Sequence, residues 1–231
     1  MKAFLTPLQG LAEFEQIKEK SKTNKGILQV SGCMESQKSH LMYGLSGIAP
    51  YRLILAEDER RAREIYEDYR FYDRKVYSYP AKDLLFFQAD IHGNLLIRQR
   101  MKVIKVLLEE KELTVVTSID GCMDFLESLE KIKEQLIHYE SDSTVDTEQL
   151  KNQLVALGYE RVGQVEMPGQ FSVRGGIVDI YCLTEENPWR IELWGDEIDS
   201  IRSFDPESQR SLENLEELTI YPAVAHQIGR A

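Results

Sequence analysis

Residues 32–39, GCMESQKS, have the residue types and spacing of a phosphate-binding loop. The fixed positions of the pattern G-x-x-x-x-G-K-[ST] fall on Gly32, Gln37, Lys38 and Ser39. A glutamine therefore stands where the pattern requires a glycine, and its side chain should distort the backbone that aims N–H groups at a phosphate. Glu35, inside the same loop, would also oppose an anion attracted by Lys38. The segment predicts a degenerate phosphate loop that binds no nucleotide cofactor and does not hydrolyse ATP.

Carboxylates elsewhere in the sequence do not complete a catalytic site. A nucleotide site needs an acidic group after a later apolar strand to hold magnesium, and LAEDE at residues 55–59 is the nearest match. We interpret that segment instead as the capped start of a helix. A second acidic set, interpreted as a solvated hairpin turn, consists of Glu192, Asp196, Glu197 and Asp199. We therefore predict that this chain has no catalytic residue.

The cysteines and histidines are spread along the chain rather than grouped. No CxxC spacing occurs among Cys33, Cys122 and Cys182, and the four histidines are isolated from one another. A zinc site would be expected to show grouped ligands, and a secreted disulfide protein would show paired cysteines. The sequence therefore predicts no metal site, reduced thiols and a cytoplasmic location. It shows neither a signal peptide nor an apolar run long enough for a membrane span.

Residues 188–205, PWRIELWGDEIDSIRSFD, predict an aromatic side chain on a polar face. Alternation along a strand places Trp189 and Ile191 on a buried face, and it places Arg190 and Trp194 on the opposite face. Trp and Arg are among the residue types most enriched at the energetic centres of protein interfaces. These residues alone leave two interpretations open, a second contact surface within the fold and a binding site for a partner.

The negative charge of the chain is concentrated in its C-terminal part. The whole chain has a formal net charge of −11, with 39 acidic and 28 basic residues. Residues 136–231 contain 18 of the acidic and 7 of the basic residues, so residues 1–135 are neutral overall. A surface that binds duplex DNA normally carries positive charge to neutralise phosphates. The C-terminal part is therefore a poor candidate for binding nucleic acid and a better candidate for binding a protein.

Two patterns of secondary structure follow one another along the chain. In the first part, apolar segments alternate with helical periodicity, at residues 26–32, 52–56, 75–80 and 113–118. Such alternation predicts an α/β fold with a parallel sheet covered by helices. After residue 136, a capped helix precedes short alternating strands, which predicts a smaller α+β module. We expect an α/β domain over residues 1–135, the α+β module over 136–222, and the start of a return segment over 223–231.

Several motifs in fixed order between residues 169 and 223 resemble a known family. They are a G-x-F-x-x-R-G-G-x-x-D strand pair, a P-x-R-x-E strand, the segment DEIDSIRSFD and the turn SQRS. Together they resemble the UvrB-like region of bacterial transcription-repair coupling factors (Mfd). UvrB shares the strand motifs but has an intact ATP site, so the degenerate loop favours the coupling factors. The resemblance covers essentially the whole chain and implies a RecA-like, UvrB-like lobe followed by a UvrA-binding module.

The resemblance also implies a partner and its contact residues. Coupling factors displace RNA polymerase stalled at DNA damage and recruit UvrA for nucleotide excision repair through a surface that imitates UvrB. The family's UvrA contacts correspond to Arg174, Arg190 and Trp194, the last being more often Phe in the family. The RNA-polymerase-binding module and the ATP-dependent lobes that translocate on DNA would lie beyond residue 231. We expect UvrA to bind this chain, and truncation of these three exposed side chains to leave folding stability nearly unchanged.

Two alternatives remain on the sequence alone. In the first, the chain is a P-loop NTPase or helicase lobe that tolerates Gln37, and the isolated chain would then bind nucleotide. In the second, the neutral N-terminal domain binds DNA directly, and its affinity for duplex would then depend on salt concentration.

Overall fold

The computed structural model describes residues 2–23, 26–81, 90–124 and 126–223 of the chain. It divides into two compact units, the first comprising Met1–Lys82 and Glu109–Asp124 and the second comprising Asp83–Leu108 and Phe125–Ala231. Residues 90–108 precede the predicted domain limit at residue 135 but belong to the second unit. A change of sequence pattern shows where the type of secondary structure changes, and it does not show which residues a helix contacts. Within the described ranges, no helix is long and apolar enough to cross a membrane.

The described residues form helices, one short 3-10 turn and strands, in the following chain order. The helices are α1 (Lys2–Gln9), α2 (Ala12–Thr23), α3 (Glu35–Gly44), α4 (Glu59–Arg70), α5 (Asp90–Glu109), α6 (Ile119–Met123), α7 (Leu129–Glu134) and α8 (Thr147–Ala156), and the 3-10 turn is Ser46–Ile48. The strands are β1 (Tyr51–Ala56), β2 (Val76–Tyr79), β3 (Leu113–Ser118), β4 (Ile137–Glu140), β5 (Glu160–Arg161), β6 (Gln170–Arg174), β7 (Ile177–Ile180), β8 (Trp189–Trp194), β9 (Glu197–Phe204), β10 (Ser211–Leu215) and β11 (Glu217–Ile220).

The first unit is built on a parallel three-stranded sheet in the order β1-β3-β2. Every residue of the central strand β3 is buried, as its continuous sequence LTVVTS predicts. Helix α4 packs Ala62 and Tyr69 into the core of this unit. The helix begins at Asp58, whose side chain accepts a hydrogen bond from the backbone N–H of Arg61 at 2.7 Å. The interpretation of LAEDE as a capped helix start and the later three predicted strands are confirmed.

The first predicted strand, residues 26–32, does not form, and that prediction is wrong. The segment lies outside helix and strand, and Ile27 is 96% exposed while Val30 is 40% exposed. A strand of a parallel sheet is stabilised by pairing with a neighbour and by burial of both faces. This segment has neither, since the sheet of the first unit ends with β1 on one side and β2 on the other. The phosphate-loop pattern therefore does not follow a strand.

The second unit contains the antiparallel strands predicted after residue 136. Six strands form one sheet in the order β10-β9-β8-β7-β6-β5, in which only the short β5 runs parallel to its neighbour. Strands β11 and β4 form a separate antiparallel pair. Helix α8 begins at Asp146, whose side chain accepts hydrogen bonds from the backbone N–H groups of Glu148 and Gln149 at 3.0 Å. The helix packs with Leu150 and Leu154 buried in the core of the second unit.

Alternation along the six-stranded sheet separates an apolar face from a polar face. Phe171 of β6 and Ile191 of β8 are fully buried in the core of the second unit, which also receives Ile104 from α5. Along each strand, the residues that alternate with these buried ones point to the opposite face of the sheet. That polar face carries all three residues for which the sequence predicts a partner contact.

Candidate partner-binding site

Arg174, Arg190 and Trp194 lie on strands β6 and β8, which are not neighbours in the sheet. Strand β7 separates them, pairing with β6 on one side and with β8 on the other. In this register Asp179 of β7 lies directly opposite Arg190. Arg174 and Trp194 end their strands beside two tight hairpin turns, so they lie at the same end of the sheet as the turn residues Gly175 and Gly195.

The carboxylate of Asp179 joins the two arginines. Arg190 donates from Nε to Oδ1 at 2.7 Å and from Nη2 to Oδ2 at 2.9 Å, which is a bidentate pair. Arg174 donates from Nη2 to the same Oδ2 at 2.9 Å. Asp179 is fully buried, whereas the Arg174 side chain is 49% exposed. The three residues therefore form a cluster with two positive charges and one negative charge, which we call the Arg–Asp–Arg cluster.

Arg190 is a largely buried part of the fold rather than an exposed side chain. Its side chain is 16% exposed, and its guanidinium carbon lies 4.4 Å from the ring centre of the buried Phe204. The hydrogen bonds to Asp179 raise the pKa of Arg190 above its usual value, outweighing the opposite effect of burial. The prediction that the Arg190 side chain is exposed is therefore wrong. We expect its truncation to lower stability, because the buried carboxylate of Asp179 would lose its bidentate partner.

The side chain of Gln209 forms a further hydrogen bond with Arg190. Its Oε1 accepts from Arg190 Nη2 at 3.3 Å, and its Nε2 donates to the carbonyl oxygens of Pro206 and Val165 at 2.8 and 3.2 Å. The backbone of Gln209 has a φ of 60°, a left-handed conformation that is unfavourable for a residue with a side chain. A residue held in such a conformation at a site is consistent with a positioning role for its side chain. Asp205 stabilises the same turn by accepting from the Ser208 N–H at 2.7 Å.

Trp194 is 84% exposed at the end of β8. It follows Arg190 and Glu192 at alternate positions of the strand, while Trp189 on the other face is buried, as alternation predicts. Arg190 does not lie beside Trp194. Arg190 is drawn to Asp179 on the neighbouring strand, and Trp194 stands four residues further along β8, about 13 Å at the usual rise per strand residue.

The glycine pair after Arg174 has a steric reason. Gly175 has a φ of 59°, and a Cβ at Gly176 would lie 2.8 Å from the carbonyl oxygen of Leu193. The N–H of Leu193 donates to the carbonyl of Gly176 at 2.7 Å. The tight R-G-G turn thus brings the end of β6 close to the end of β8, where Trp194 is the next residue. Arg174 and Trp194 therefore lie at the same end of the sheet, both exposed.

Other charged residues share this polar face, among them Glu197, which lies opposite Trp194. Glu192 pairs with Arg202 of β9 and accepts a hydrogen bond from Ser200 at 3.0 Å. Arg202 and Glu192 are each about 30% exposed at the side chain, so this pair is only partly screened from water. The Arg–Asp–Arg cluster differs from it because its positive charges outnumber its negative charge.

The predicted phosphate loop lies in the first unit and its cations are paired internally. Helix α3 begins at Glu35, so Lys38 lies in its first turns, and Ser39 is buried within the helix. The Glu35 carboxylate forms ion pairs with both Lys38 and Arg61 of α4. The Gln37 side chain accepts from the backbone N–H of Met34 at 3.1 Å and so closes the helix start. Beside these groups an open cleft of about 680 Å³ is lined by Cys33, Glu57 and Ile65, among others.

Among the described residues, one group of side chains has the composition of a metal site. His138, Glu140 and Glu217 lie on the outer face of the β4–β11 pair, with His138 Nε2 at 3.7 and 3.6 Å from the two carboxylates. The sequence could not group them, because cross-strand pairing joins residues far apart in the chain. All three are exposed, and acidic groups with such exposure are common without a metal ion. We therefore assign no metal to them.

Sequence reasoning missed three residues of the site, Asp179, Phe204 and Gln209. Each one lies within a motif that supports the family resemblance, namely the final D of the first strand pair, the F of DEIDSIRSFD and the Q of SQRS. Motif membership was the available signal, but it did not show that these side chains contact Arg190. Only the strand register and the folded turn at residues 205–210 reveal that contact.

Comparison with known proteins identifies the second unit. Residues 137–226 match the family described as the UvrB interaction domain. The transcription-repair-coupling factor of Bacillus subtilis is 35% identical to the chain over 209 residues, which covers 84% of the chain and 18% of the relative. The proteins of the same name from Staphylococcus haemolyticus and Staphylococcus aureus are 36% identical over 149 residues, covering 64% of the chain and 13% of each relative.

Residues 137–226 are therefore similar to the UvrB interaction domain. The chain is homologous to the transcription-repair-coupling factors, and the resemblance predicted from the sequence is confirmed. The chain spans less than a fifth of the length of the relatives it matches.

Proposed function

We propose that this chain recruits UvrA in transcription-coupled nucleotide excision repair, using the edge formed by Arg174, Arg190 and Trp194. The match to a UvrB interaction domain supports a protein-binding role for the second unit. The observation that carries the proposal is Trp194, a large aromatic side chain 84% exposed beside a cluster with excess positive charge. An exposed aromatic next to arginine is the composition of an interface hot spot.

The charges of the site specify what the partner must supply. Two guanidinium groups share the carboxylate of Asp179, so the Arg–Asp–Arg cluster itself carries one net positive charge. Arg174 keeps the more exposed guanidinium, which suits a bidentate pair with an acidic side chain. UvrA should therefore place a carboxylate on Arg174 and an apolar pocket over Trp194, while Arg190 supports this surface from below.

Titration of purified UvrA with the 231-residue chain tests this function. We expect Trp194→Ala to weaken binding by about 2 kcal/mol, or about thirtyfold in Kd, with an unchanged thermal unfolding temperature. Leu212→Ala is the matched control, because Leu212 is 55% exposed on the edge strand β10 of the same sheet and should not affect binding. Wild-type affinity in both Trp194→Ala and Arg174→Ala would reject the proposed surface.

In this proposal the chain itself is not an enzyme and requires no cofactor. Its first unit is a RecA-like, UvrB-like lobe whose phosphate loop is degenerate, and the ATP-dependent DNA translocation and RNA polymerase binding belong to other parts of the full-length protein. The internal pairing of Lys38 with Glu35 and the side chain at Gln37 support the absence of nucleotide binding. ATP turnover that disappears in Lys38→Ala would contradict this part of the proposal and favour the NTPase alternative.

A further inference from the structure

We infer that Asp179 is a positioning residue of the UvrA-binding surface, acting through Arg174. Asp179 would hold the Arg174 guanidinium in the orientation that a partner carboxylate meets. The inference rests on the function proposed above, and it adds a residue that does not itself reach the partner, since Asp179 is fully buried.

The contacts of the two arginines differ in a way that assigns this role to one of them. Arg190 keeps further anchors besides Asp179, namely the ring of Phe204 at 4.4 Å and the side chain of Gln209 at 3.3 Å. In the described part of the chain, the Arg174 guanidinium has Asp179 as its one hydrogen-bond partner, at 2.9 Å. Arg174 also sits next to the Gly175 turn with half of its side chain in solvent. Its orientation in the unbound protein therefore depends on Asp179.

Stability of the fold does not by itself account for a carboxylate at this position. Burial of an ion pair is often neutral or unfavourable compared with apolar side chains of similar volume. On the same face of β7, Ile177 shows that this side of the strand accommodates an aliphatic side chain. A buried carboxylate that binds two guanidinium groups instead fixes their geometry, because three charge-assisted hydrogen bonds restrict the planes of both groups.

Orientation before binding affects affinity through entropy. A free arginine side chain at the end of a strand samples many rotamers, and a partner that binds it must immobilise it. If Asp179 has already ordered Arg174, that loss does not occur on binding. Removal of the carboxylate charge should therefore weaken UvrA binding by about threefold to tenfold, the range expected for one immobilised side chain.

A double-mutant cycle between Asp179→Asn and Arg174→Ala tests the inference with UvrA affinity as the readout. Asp179→Asn preserves size and removes the charge, and we expect it to weaken binding by about threefold to tenfold in the otherwise wild-type chain. In the Arg174→Ala background the same substitution should change affinity by less than about twofold, because the side chain through which Asp179 acts is gone. Glu192→Gln, which removes a paired carboxylate from the same sheet face, is the matched control and should add independently of Arg174.

A purely structural role predicts a different result, since it would weaken binding by the same factor with and without Arg174. That additive result would overturn the inference while leaving the proposed function intact. If Arg174→Ala and Trp194→Ala alone leave UvrA affinity unchanged, the proposed function fails instead. Should Asp179→Asn not fold, Asp179→Glu keeps a counter-charge for Arg190 and moves the carboxylate by one methylene, and it should show the same dependence on Arg174.

Discussion

The phosphate-loop segment of the first unit and the Arg–Asp–Arg cluster of the second unit use the same chemical groups to opposite effect. In the first, one carboxylate, Glu35, pairs with Lys38 and Arg61 at a helix start, and the Glu35 side chain is 63% exposed. In the second, one carboxylate, Asp179, pairs with Arg174 and Arg190 but is fully buried. The two clusters have equal formal charge and different surroundings.

The difference shows that burial rather than composition decides what such a cluster can do. Exposed ion pairs contribute little and exchange readily with water and salt. A buried carboxylate loses more than an exposed one when a partner leaves, because water does not replace that partner, so Asp179 restrains the geometry of its arginines. We therefore propose that the first cluster offers no anion site, because Glu35 pairs with both of its cations, and that the second presents an oriented guanidinium at the surface.

Arg190→Ala should have the largest effect, and it should fall on stability. The substitution removes the bidentate partner of a buried carboxylate and the group stacked on Phe204. We expect the free energy of unfolding to fall by about 2–3 kcal/mol, less than for a wholly unpaired buried charge because Arg174 remains. Urea unfolding measures this change.

Arg174→Ala is the matched comparison, because it removes the exposed partner of the same carboxylate. Since its side chain is 49% exposed, the loss of stability should stay below about 1 kcal/mol. Equal losses for Arg190→Ala and Arg174→Ala would show that burial does not distinguish the two arginines. Any loss of UvrA binding by Arg190→Ala must be measured on the folded fraction.

Substitutions of Gln209 separate the effect of its side-chain hydrogen bonds, including the one to Arg190, from the effect of its strained backbone. Gln209→Ala loses the side-chain hydrogen bonds to Arg190, Pro206 and Val165 and keeps the left-handed backbone, so unfolding should become easier by about 1–2 kcal/mol. Gln209→Gly loses the same bonds but accepts a φ of 60° without strain, so its loss should be smaller by roughly 0.5–1 kcal/mol. If Gln209→Gly is the less stable of the two variants, the strain argument is incorrect.

The fold could be predicted from the sequence where local patterns decide it. The helix cap at Asp58, the buried strand β3 and the alternation along β8 follow from capping chemistry and periodicity. The prediction of a strand at residues 26–32 was wrong because a short apolar run carries no information about a pairing partner. A strand exists only with a neighbour, and neighbours are a property of the whole unit.

The site could be predicted only in part for the same reason. The exposure of Trp194 and the polar position of Arg174 follow from alternation within one strand. The burial of Arg190 depends on the strand order, which inserts β7 and its Asp179 between β6 and β8. It also depends on the turn that carries Gln209 back over the sheet. Such long-range contacts leave no local pattern that could be read without the fold.

Glu35→Gln tests whether the cluster of Glu35, Lys38 and Arg61 can bind an anion once its carboxylate is removed. The substitution releases Lys38 and Arg61 from their shared carboxylate, and inorganic pyrophosphate should then bind with a gain below about 1 kcal/mol, the strength of an exposed ion pair. Isothermal titration with pyrophosphate measures this gain. Glu57→Gln removes a carboxylate from the same cleft and is the control for a change of net charge alone. Tight pyrophosphate binding by the wild-type chain would contradict the internal pairing described here.

Acidification should produce the smallest effect, through the turn that carries Gln209. Hydrogen bonds from Ser208 lower the pKa of Asp205, so the folded state favours its charged form. A lowered folded pKa contributes stability above the unfolded value, near pH 4, and this contribution is lost as the pH falls through the folded value. Unfolding temperature should therefore decrease more between pH 5 and low pH in the wild type than in Asp205→Asn, which cannot titrate at this position.

The effect is small because Asp205 is partly exposed to solvent, and its direction is nevertheless informative. Glu207→Gln removes a neighbouring carboxylate of the same turn and should leave the acid dependence close to that of the wild type. The two chains, wild type and Asp205→Asn, should converge in stability at low pH, since protonation removes the charge that the substitution removes. If the unfolding temperatures of the two chains instead differ by the same amount at every pH, Asp205 stabilises the turn without its charge. The contact of Gln209 with Arg190 would then not depend on pH.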